Sequence, residues 1–445
     1  MPTSLIVLAA GQGSRMKSDR PKVLHEVAHA PVLHHALASG RTLDPVHTVV
    51  VVGHGGEAVA AALAGSDVTI AQQTERLGTA HAVAQARAAL DGVEGDAIIL
   101  YGDTPFIRPE TLRSMLAARR DGADVVVLGF EAANPGRYGR LVAIGDRLER
   151  IVEAKDATNE EFAITLCNSG VICAEAETLF ALIDEVGNDN AAGEYYLTDI
   201  VGLARAARLS ARVVICDEAE TLGIDTRADL AQAETIWQAR RRAELLADGV
   251  TMTAPDTVFL AHDTTIGRDT VLEPHVVFGP GVTIESGATI RAFSHLEGCH
   301  VSEGCVIGPY ARLRPGAELD RDVKVGNFVE VKAAQIQEGA KINHLSYVGD
   351  ADIGSRANIG AGTITCNYDG VFKHKTIIGA EAFIGSNTAL VAPVTVGAQA
   401  MTGSGSVITT DVPDGALALG RAKQINKDGF AARLMGKLRA AKEKH

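Results

Sequence analysis

The stretch that organises the chain is LIVLAAGQGSRMKSDRPK, Leu5 to Lys22, which joins an apolar run to a glycine-rich loop and two cations. Its first five residues are typical of a buried parallel strand. Gly11 and Gly13 allow positive φ in the next turn, so that backbone N–H groups can converge on an anion. Arg15 and Lys22 supply positive charge where phosphate charge develops. The stretch therefore predicts a phosphate-binding loop.

The spacing of this loop excludes two common phosphate motifs. Met16 stands where the third glycine of a GxGxxG dinucleotide fingerprint would fall, and no GK[ST] follows to make a P-loop. An ordinary strand-to-helix turn with two solvated cations remains the alternative reading of these residues.

Composition limits the possible functions of the chain. At 445 residues it is long enough for two or three domains. A net charge of -13 and 4% aromatic residues argue against a nucleic-acid surface. We expect no membrane insertion, since no run reaches spanning length, and a cytoplasmic protein, since the opening apolar run lacks a basic n-region. Six cysteines without a CxxC pair are expected to be reduced and mostly buried: Cys167, Cys173, Cys216, Cys299, Cys305 and Cys366.

From Ser4 to about Arg227, short β-rich runs alternate with helical segments, which predicts an α/β domain with a mainly parallel sheet. Beyond Leu5 to Ala9, the predicted strands are His47 to Val52, Val68 to Ile70, Ala97 to Tyr101 and Val125 to Leu128. The glycine loop and the segment around Asp103 both follow strands, where ligands of such sheets bind. The segment Ala228 to Leu246 lacks glycine and proline and predicts one long helix that connects two domains.

After Thr251 an aliphatic residue recurs every six positions, with occasional one-residue slips. This period predicts a parallel β-helix in which three hexapeptides make one triangular coil and the aliphatic residue points inward. The inward positions begin with Ile266, Leu272, Phe278, Ile284, Ile290 and Leu296, and continue through Val301, Ile307, Leu313, Ile342, Ile359, Ile378 and Leu390. CNYDGVFKHK, Cys366 to Lys375, is too polar for a coil face and is expected to loop outward. Residues 426–445 are basic and are expected to form a solvated tail.

Two aspartates in distant segments suggest a magnesium site. Asp103 ends an apolar strand in YGDTP, and Asp225 lies in GIDT. Mg²⁺ takes one or two protein carboxylates and completes its shell with phosphates and water. A lone aspartate in the position of Asp103 is as often a helix cap as a ligand. Together with the cations of the loop, they form the set that phosphoryl chemistry on a nucleotide requires.

The repeats after Thr251 resemble those of hexapeptide-repeat acyltransferases, and this resemblance implies left-handed coiling. The first part of the chain resembles a second family, and nearly the whole chain resembles a bifunctional one. LAAGQGSRM followed by PKVL resembles sugar-phosphate nucleotidylyltransferases, with Ser14 where threonine is commoner. QTERLGTAHA, LYGDTP, YGR, VEAKDAT, GEYYLTDI, IGPYARLRPGAEL, VGNFVEVK, NHLSYVGD and NIGAGTITCNYDG resemble, in order, the bacterial bifunctional enzymes that are both glucosamine-1-phosphate N-acetyltransferase and N-acetylglucosamine-1-phosphate uridylyltransferase.

That resemblance implies a set of residues for uridylyl transfer. Arg15 and Lys22 would act on the phosphates, and Asp103 and Asp225 would bind Mg²⁺. Many relatives have asparagine at the second position, so the extra negative charge here is expected to tighten the metal. The nucleotide and sugar would be held by Leu8, Ala9, Ala10, Gly11, Lys22, Gln73, Gly78, Thr79, Tyr101, Gly102, Asp103, Gly139, Glu153, Asn168 and Asp225. Read singly, Gln73, Glu153 and Asn168 could be surface hydrogen bonders.

The resemblance also implies a left-handed β-helix that carries out acetyl transfer. His344 would be the general base, a role that suits a histidine of near-neutral pKa, although a lone histidine is more often a surface residue. Glucosamine 1-phosphate would be held by Arg314, Lys332, Tyr347 and Asn358. Acetyl-CoA would be bound by Ala361, Asn367, Tyr368, Ser386, Ser404 and Arg421. Some relatives have alanine at the position of Ser404, so its contact is expected to come from the backbone.

The sequence therefore predicts a homotrimeric, bifunctional, Mg²⁺-dependent transferase of UDP-N-acetylglucosamine synthesis that supplies a cell-wall and lipopolysaccharide precursor from acetyl-CoA and UTP. The predicted domains are a uridylyltransferase over residues 1–227, a helical linker over 228–249, an acetyltransferase β-helix over 250–425 and a basic tail over 426–445. One alternative is a single-activity nucleotidylyltransferase with a structural β-helix. Another is a non-catalytic scaffold, which would be expected to have lost the cations, the carboxylates or His344.

Overall fold

The computed structural model describes residues 2–11 and 13–443. It divides into two compact units, Met1–Arg240 and Arg241–His445. The division falls inside the helix Arg227–Ala247, where the sequence predicts a connecting helix over almost the same residues. No helix among the described residues is both long and apolar enough to cross a membrane.

The first unit contains a nine-stranded sheet. Across the sheet the strands are Thr69–Gln72, His47–Val52, Thr3–Ala9, Asp96–Tyr101, Leu166–Glu175, Val125–Glu131, Ala211–Cys216, Arg147–Val152 and Arg140–Ile144. The first four are parallel, which confirms the prediction for the part of the sheet that follows the glycine loop. Leu166–Glu175 runs antiparallel to both of its neighbours, so the sheet is mixed beyond it.

The strand Thr3–Ala9 is buried on both faces, as its continuous apolar sequence predicts. Ile6 and Leu8 belong to one hydrophobic core, whereas Leu5 and Val7 belong to the core on the other side of the sheet. The helices of this unit are Val32–Arg41, Gly56–Ala62, Thr79–Ala84, Pro109–Arg120, Asn159–Phe162, Ala176–Asp184, Asp199–Ala206 and the first part of Arg227–Ala247.

The second unit is a solenoid of short parallel strands, as the hexapeptide period predicts. One sheet contains Thr251–Met252, Val271–Leu272, Thr289–Ile290, Val306–Ile307, Lys324–Asn327, Lys341–His344, Asn358–Ile359, Phe383–Ile384, Met401–Thr402 and Leu417–Ala418. Another contains Thr265–Ile266, Val277–Phe278, Thr283–Ile284, His295–Leu296, Cys299–Val301, Arg312–Leu313, Ala317–Leu319, Glu330–Ile336, Tyr347–Ile353, Ile364–Cys366, Thr376–Ile378, Ala389–Val391, Val394–Val396 and Val407–Ile408.

Equivalent positions of successive coils stack in register along the solenoid. Leu272 pairs with Ile290, and Ile290 pairs with Ile307, so three hexapeptides make one coil. All three side chains are fully buried, because each points into the interior of its coil. The hydrophobic core of the second unit is therefore a column of aliphatic residues that the sequence period identifies.

Two segments leave the solenoid. The loop predicted over Cys366 to Lys375 is exposed at Tyr368 and Phe372. It begins later than predicted, because Cys366 ends the strand Ile364–Cys366 and Asn367 is buried. The basic segment expected as a solvated tail is exposed, but its residues Phe430–Lys442 form a helix, which its composition did not indicate. Lys444 and His445 of this segment lie outside the described residues. All six cysteines are unpaired, and four of them are buried.

Candidate active sites

The glycine loop folds closely around Lys22. Gly13 has φ of 63°, and a Cβ atom there would lie 2.6 Å from Cβ of Lys22. Only glycine fits this position, because the backbone is left-handed and the space is already filled. Short 3₁₀ turns at Ser14–Met16 and Lys22–Leu24 then carry Arg15 and Lys22.

The two aspartates come together at the end of the loop. The backbone N–H of Ile224 donates a hydrogen bond of 3.0 Å to the carbonyl of Asp103, which brings GIDT against YGDTP. The ammonium of Lys22 contacts the carboxylate of Asp103 and lies 2.8 Å from Oδ1 of Asp225. Arg15 lies 2.8 Å from Oδ2 of Asp225. Two cations and two carboxylates from three parts of the chain thus form one cluster.

Charge and burial oppose each other in this cluster. Burial lowers the pKa of Lys22, but the charges and hydrogen bonds of Asp103 and Asp225 outweigh it and leave that pKa above its usual value. For Asp225, burial raises the pKa, whereas Lys22 and then Arg15 lower it, with a net decrease. Both groups are therefore charged at neutral pH.

The donor set fits the predicted magnesium ion. Asp103 and Asp225 direct carboxylate oxygens at a single cation, the ammonium of Lys22. Two carboxylates are what Mg²⁺ typically takes from a protein when phosphates complete its shell. No cluster of three or more acidic, histidine or cysteine ligands exists among residues 2–11 and 13–443, so a metal here would depend on its substrate for further ligands.

A cavity of 270 Å³ lies beside the cluster and collects most of the predicted nucleotide-binding residues. It is lined by Leu8, Ala10, Gly11, Gln73, Arg76, Gly78, Thr79, Ala82, Tyr101, Asp103 and Glu194. Ala9 is buried in the strand beneath it, and the N–H of Gly102 donates to the carbonyl of Leu8. Gly78 has φ of 116°, and a Cβ there would lie 2.4 Å from the carbonyl oxygen of Tyr195. Arg76 and Glu194 were not predicted, although both lie inside motifs quoted above.

The three predicted sugar-binding residues also lie together. The N–H of Asn168 donates a 2.8 Å hydrogen bond to the carbonyl of Gly139, and a Cβ on Gly139 would lie 3.5 Å from Oε1 of Glu153. Burial raises the pKa of Glu153, and Asp199 and Asp156 add to that increase, whereas a 3.1 Å hydrogen bond from Thr198 opposes it. Glu153 also lines a cavity of 250 Å³ that includes Arg137, another residue that sequence reasoning missed.

In the solenoid, His344 is exposed at the end of the strand Lys341–His344. Its Nδ1 atom lies 2.8 Å from Oδ1 of Asn327, its register partner one coil earlier. An amide oxygen can only accept, so in this orientation Nδ1 carries the proton and Nε2 has a free lone pair. Asn327 was missed by sequence reasoning, although the coil period would have paired it with His344.

Three of the predicted acetyl-CoA residues stack directly beyond His344. The N–H of Gly362 donates to the carbonyl of His344 at 3.3 Å. One coil later, the N–H of Asn387 donates to the carbonyl of Ala361 at 2.7 Å, and then Gly405 donates to Ser386 at 2.8 Å. Ala361, Ser386 and Ser404 therefore mark successive coils along one edge of the solenoid.

The predicted sugar-phosphate residues flank the corner after His344. Arg314 lies 2.8 Å from Glu330, the register partner of Tyr347. Lys373, a neighbouring cation on the loop after Cys366, lowers the pKa of Lys332, and desolvation lowers it further. Sequence reasoning missed Lys373.

The remaining predicted residues of the solenoid are Asn358, Asn367, Tyr368 and Arg421. Asn358 begins the next strand on the face of His344. Asn367 donates to the hydroxyl of Tyr347 at 3.4 Å and to Asp350, so it belongs to the same cluster. Tyr368 and Arg421 are exposed, and no described contact joins either of them to His344.

Comparison with known proteins found family models that match part of each compact unit. A model of the MobA-like NTP transferase domain matches residues 5–164, and a model of the bacterial transferase hexapeptide matches residues 263–298. A protein of Ruegeria sp. (strain TM1040) named "Bifunctional protein GlmU" is 65% identical over 444 residues, which cover 99% of each chain. The chain belongs to the GlmU family. A GlmU protein of Cereibacter sphaeroides (strain ATCC 17023) is 67% identical over 99% of this chain and 97% of its own.

Membership of the GlmU family confirms the predicted class of enzyme. The chain is a bifunctional transferase with glucosamine-1-phosphate N-acetyltransferase and N-acetylglucosamine-1-phosphate uridylyltransferase activities, and it uses nucleotide and acetyl-CoA substrates. The predicted α/β domain followed by a hexapeptide β-helix is also confirmed. A non-catalytic scaffold and a single-activity enzyme are thereby disfavoured.

Proposed function

We propose that the cluster of Arg15, Lys22, Asp103 and Asp225 is the centre of uridylyl transfer. The observation that carries this proposal is the contact of one ammonium, that of Lys22, with both carboxylates. A triphosphate that binds beside the loop gives Lys22 and Arg15 new anionic partners. The two carboxylates are then free to accept a divalent cation. The cluster thus contains positive groups that can bind the triphosphate and negative groups that can bind the divalent cation.

In this reaction a phosphate oxygen of N-acetylglucosamine 1-phosphate forms a bond to the α-phosphorus of UTP. The bond between that phosphorus and the oxygen bridging to the β-phosphate breaks, and pyrophosphate leaves with the electron pair. Lys22 and Arg15 stabilise the charge that spreads over the phosphates. Mg²⁺, held by Asp103 and Asp225, would neutralise phosphate charge when bound. The carboxylate of Glu153 and the amide of Asn168 would hydrogen bond the sugar.

We propose that His344 is the general base of acetyl transfer. Its bond to Asn327 supports the role, because it keeps the proton on Nδ1 and leaves Nε2 to accept one. The amine of glucosamine 1-phosphate attacks the thioester carbonyl, and Nε2 takes a proton from the nitrogen. The carbon–sulfur bond then breaks, and the proton passes to the thiolate of coenzyme A.

Neighbouring cations would hold the sugar phosphate for this step. Arg314, Lys332 and Lys373 place three positive charges beyond the corner that follows His344. Tyr347 and Asn358 would contact the sugar. Acetyl-CoA would extend along the edge marked by Ala361, Ser386 and Ser404, with further contacts from Asn367, Tyr368 and Arg421. We further propose a homotrimer, as in the resembling enzymes, and the functional divisions 1–227, 228–249, 250–425 and 426–445.

A cytoplasmic location completes the proposal. Six unpaired cysteines are in keeping with a reducing compartment. The deciding experiment supplies purified protein with glucosamine 1-phosphate, acetyl-CoA, UTP and Mg²⁺, and follows coenzyme A and pyrophosphate separately. Release of both supports the proposal. Release of pyrophosphate alone, when N-acetylglucosamine 1-phosphate is supplied, would leave the solenoid without its proposed role.

A further inference from the structure

Arg137 lies where two parts of the uridylyltransferase cleft meet. It lines the cavity that contains Arg15 and Asp225. It also lines the cavity that contains Glu153. One guanidinium therefore borders both the charged cluster and the proposed sugar pocket. The acceptor's phosphate must span this boundary, because it is attached to the sugar and attacks the nucleotide.

The guanidinium of Arg137 forms no ion pair with another side chain of the described residues. Among residues 2–11 and 13–443, no hydrogen bond or ion pair within 4.0 Å engages its guanidinium, although its charge contributes to lowering the pKa of Asp225. By contrast, Arg15 and Lys22 are both bound to Asp225. Arg137 is thus a cation of this cleft that an incoming anion can engage without first breaking an ion pair.

The loop that carries Arg137 is fixed from beneath by Arg140. The Arg140 side chain is fully buried, and its guanidinium donates to the carbonyls of Pro135 at 3.4 Å, Gly136 at 3.1 Å and Tyr138. It also donates to Phe162 at 3.4 Å and lies 4.7 Å from the centre of that ring. A buried charge satisfied by four carbonyls holds both segments in one geometry.

The ring of Tyr138 adds a second anchor. It packs edge-on against the buried Phe130, with ring centres 4.9 Å apart. The backbone on both sides of Arg137 is therefore held in place, and only the exposed side chain itself must be ordered by a ligand. Less entropy is lost on binding when the group that recognises the ligand is already positioned.

From this geometry we infer that Arg137 binds the phosphate of the sugar 1-phosphate acceptor in uridylyl transfer. A guanidinium can form two parallel hydrogen bonds to a phosphate, which fixes its orientation as well as its position. Arg137 would align the attacking oxygen between the sugar pocket and the charged cluster. The inference rests on the proposed function of this site. It adds Arg137 as the residue that binds the phosphate group of the acceptor.

The test compares Arg137→Ala and Arg137→Lys with a matched control, Arg113→Ala. Arg113 is an exposed arginine of the same unit, on the helix Pro109–Arg120, paired with Glu110 at 3.2 Å. In R137A we expect the KM for N-acetylglucosamine 1-phosphate to rise about ten- to a hundredfold, the usual worth of a charge-assisted hydrogen bond. The KM for UTP should stay within about twofold of wild type. R137K should be intermediate, and R113A should match wild type.

Calorimetry supplies a readout independent of turnover. Wild type should bind N-acetylglucosamine 1-phosphate more tightly than N-acetylglucosamine, and R137A should lose most of that preference while it retains the affinity for the uncharged sugar. An unchanged preference in R137A, or an equal rise in both KM values, would overturn the inference. Absence of pyrophosphate release from wild type would instead overturn the proposed function, so the two failures are distinguishable.

Discussion

The Nζ atom of Lys22 lies 2.8 Å from Oδ1 of Asp225, although the two residues are 203 positions apart in the chain. The same ammonium contacts Asp103. The cations proposed to hold the triphosphate are therefore paired, in the free protein, with the carboxylates proposed to hold the metal. Binding of the triphosphate or of Mg²⁺ must break these ion pairs. The triphosphate then becomes the partner of the cations, and Mg²⁺ becomes the partner of the carboxylates.

This pairing predicts the behaviour of Asp225→Asn. The substitution keeps an oxygen for Mg²⁺ but removes one negative charge from a site that is partly exposed. We expect the Mg²⁺ concentration for half-maximal uridylyl transfer to rise about three- to tenfold, with a nearly normal rate at saturating metal. A titration of pyrophosphate release against Mg²⁺ measures it. Asp121→Asn, at an exposed carboxylate elsewhere in the unit, is the control. An unchanged Mg²⁺ requirement would argue against Asp225 as a ligand.

We expect Lys22→Ala and Asp103→Ala each to lower uridylyl transfer by about 10²-fold or more. The first removes a positive charge aimed at the transferring phosphate, and the second removes a carboxylate proposed to hold Mg²⁺. Coenzyme A release depends on the other unit and should persist in both variants, which controls for enzyme concentration and for the solenoid. Thermal melts should accompany the rates, since each substitution leaves a charged partner unpaired. Near-normal pyrophosphate release in either variant would mean that the loop has been misassigned.

The effect of Lys373 on the pKa of Lys332 predicts a pH dependence of acetyl transfer. A neighbouring ammonium lowers the pKa of Lys332, so its charge is lost at a lower pH than that of an ordinary lysine. Because phosphate binding needs this charge, the KM for glucosamine 1-phosphate in acetyl transfer should rise as the pH increases toward that pKa. Lys373→Ala should move this rise to higher pH, and it should raise the KM about tenfold at neutral pH.

Lys324→Ala, at an exposed lysine of the same solenoid, should leave the pH profile unchanged. The prediction for Lys373 fails if its removal leaves the KM and the position of the rise as they are in wild type. A uniform fall in rate with no change in KM would indicate that Lys373 acts on loop structure and not on the phosphate.

Local sequence determined much of the fold. The apolar run of the first strand predicts its burial on both faces. The six-residue period identifies the inward-pointing residues of the solenoid. Both signals lie within short stretches of sequence and need no knowledge of distant contacts. The helix Phe430–Lys442 was not predicted, because basic composition alone does not distinguish a helix from a solvated tail. The four-residue spacing of Phe430, Leu434 and Leu438 is the helical signal in this segment. The antiparallel strand Leu166–Glu175 depends on its pairing with two distant strands, which no local pattern encodes.

Residues of the two candidate active sites could be predicted only where they lie in a motif that resembles a known family. The resemblance to the bifunctional enzymes identified Asp103 and Asp225 as metal ligands. It did not indicate that the ammonium of Lys22 contacts both carboxylates. Lys373 affects the pKa of Lys332 through the path of the loop after Cys366, and no periodic rule describes that path. Arg137 and Arg76 lie inside or beside quoted motifs but carry no pattern of their own. Asn327 was predictable in principle, because it precedes His344 by one coil of 17 residues.

The proposed homotrimer predicts the mass of the protein in solution. Light scattering at assay concentration should give about three times the 46.6 kDa mass of one chain. The resemblance implies acetyl sites that are shared between subunits. Dilution into a monomeric state should therefore reduce acetyl transfer and leave uridylyl transfer largely intact. A monomer that is fully active in acetyl transfer would contradict shared sites.

The most direct test of two separate activities in one chain is His344→Ala, assayed for both products. Loss of the proton acceptor should lower coenzyme A release by about 10²- to 10⁴-fold, the usual worth of general base catalysis. Pyrophosphate release should be unchanged when N-acetylglucosamine 1-phosphate is supplied directly, and the melting temperature should match that of wild type because His344 is exposed. A folded His344→Ala enzyme that retains most of its acetyl-transfer rate would contradict the account.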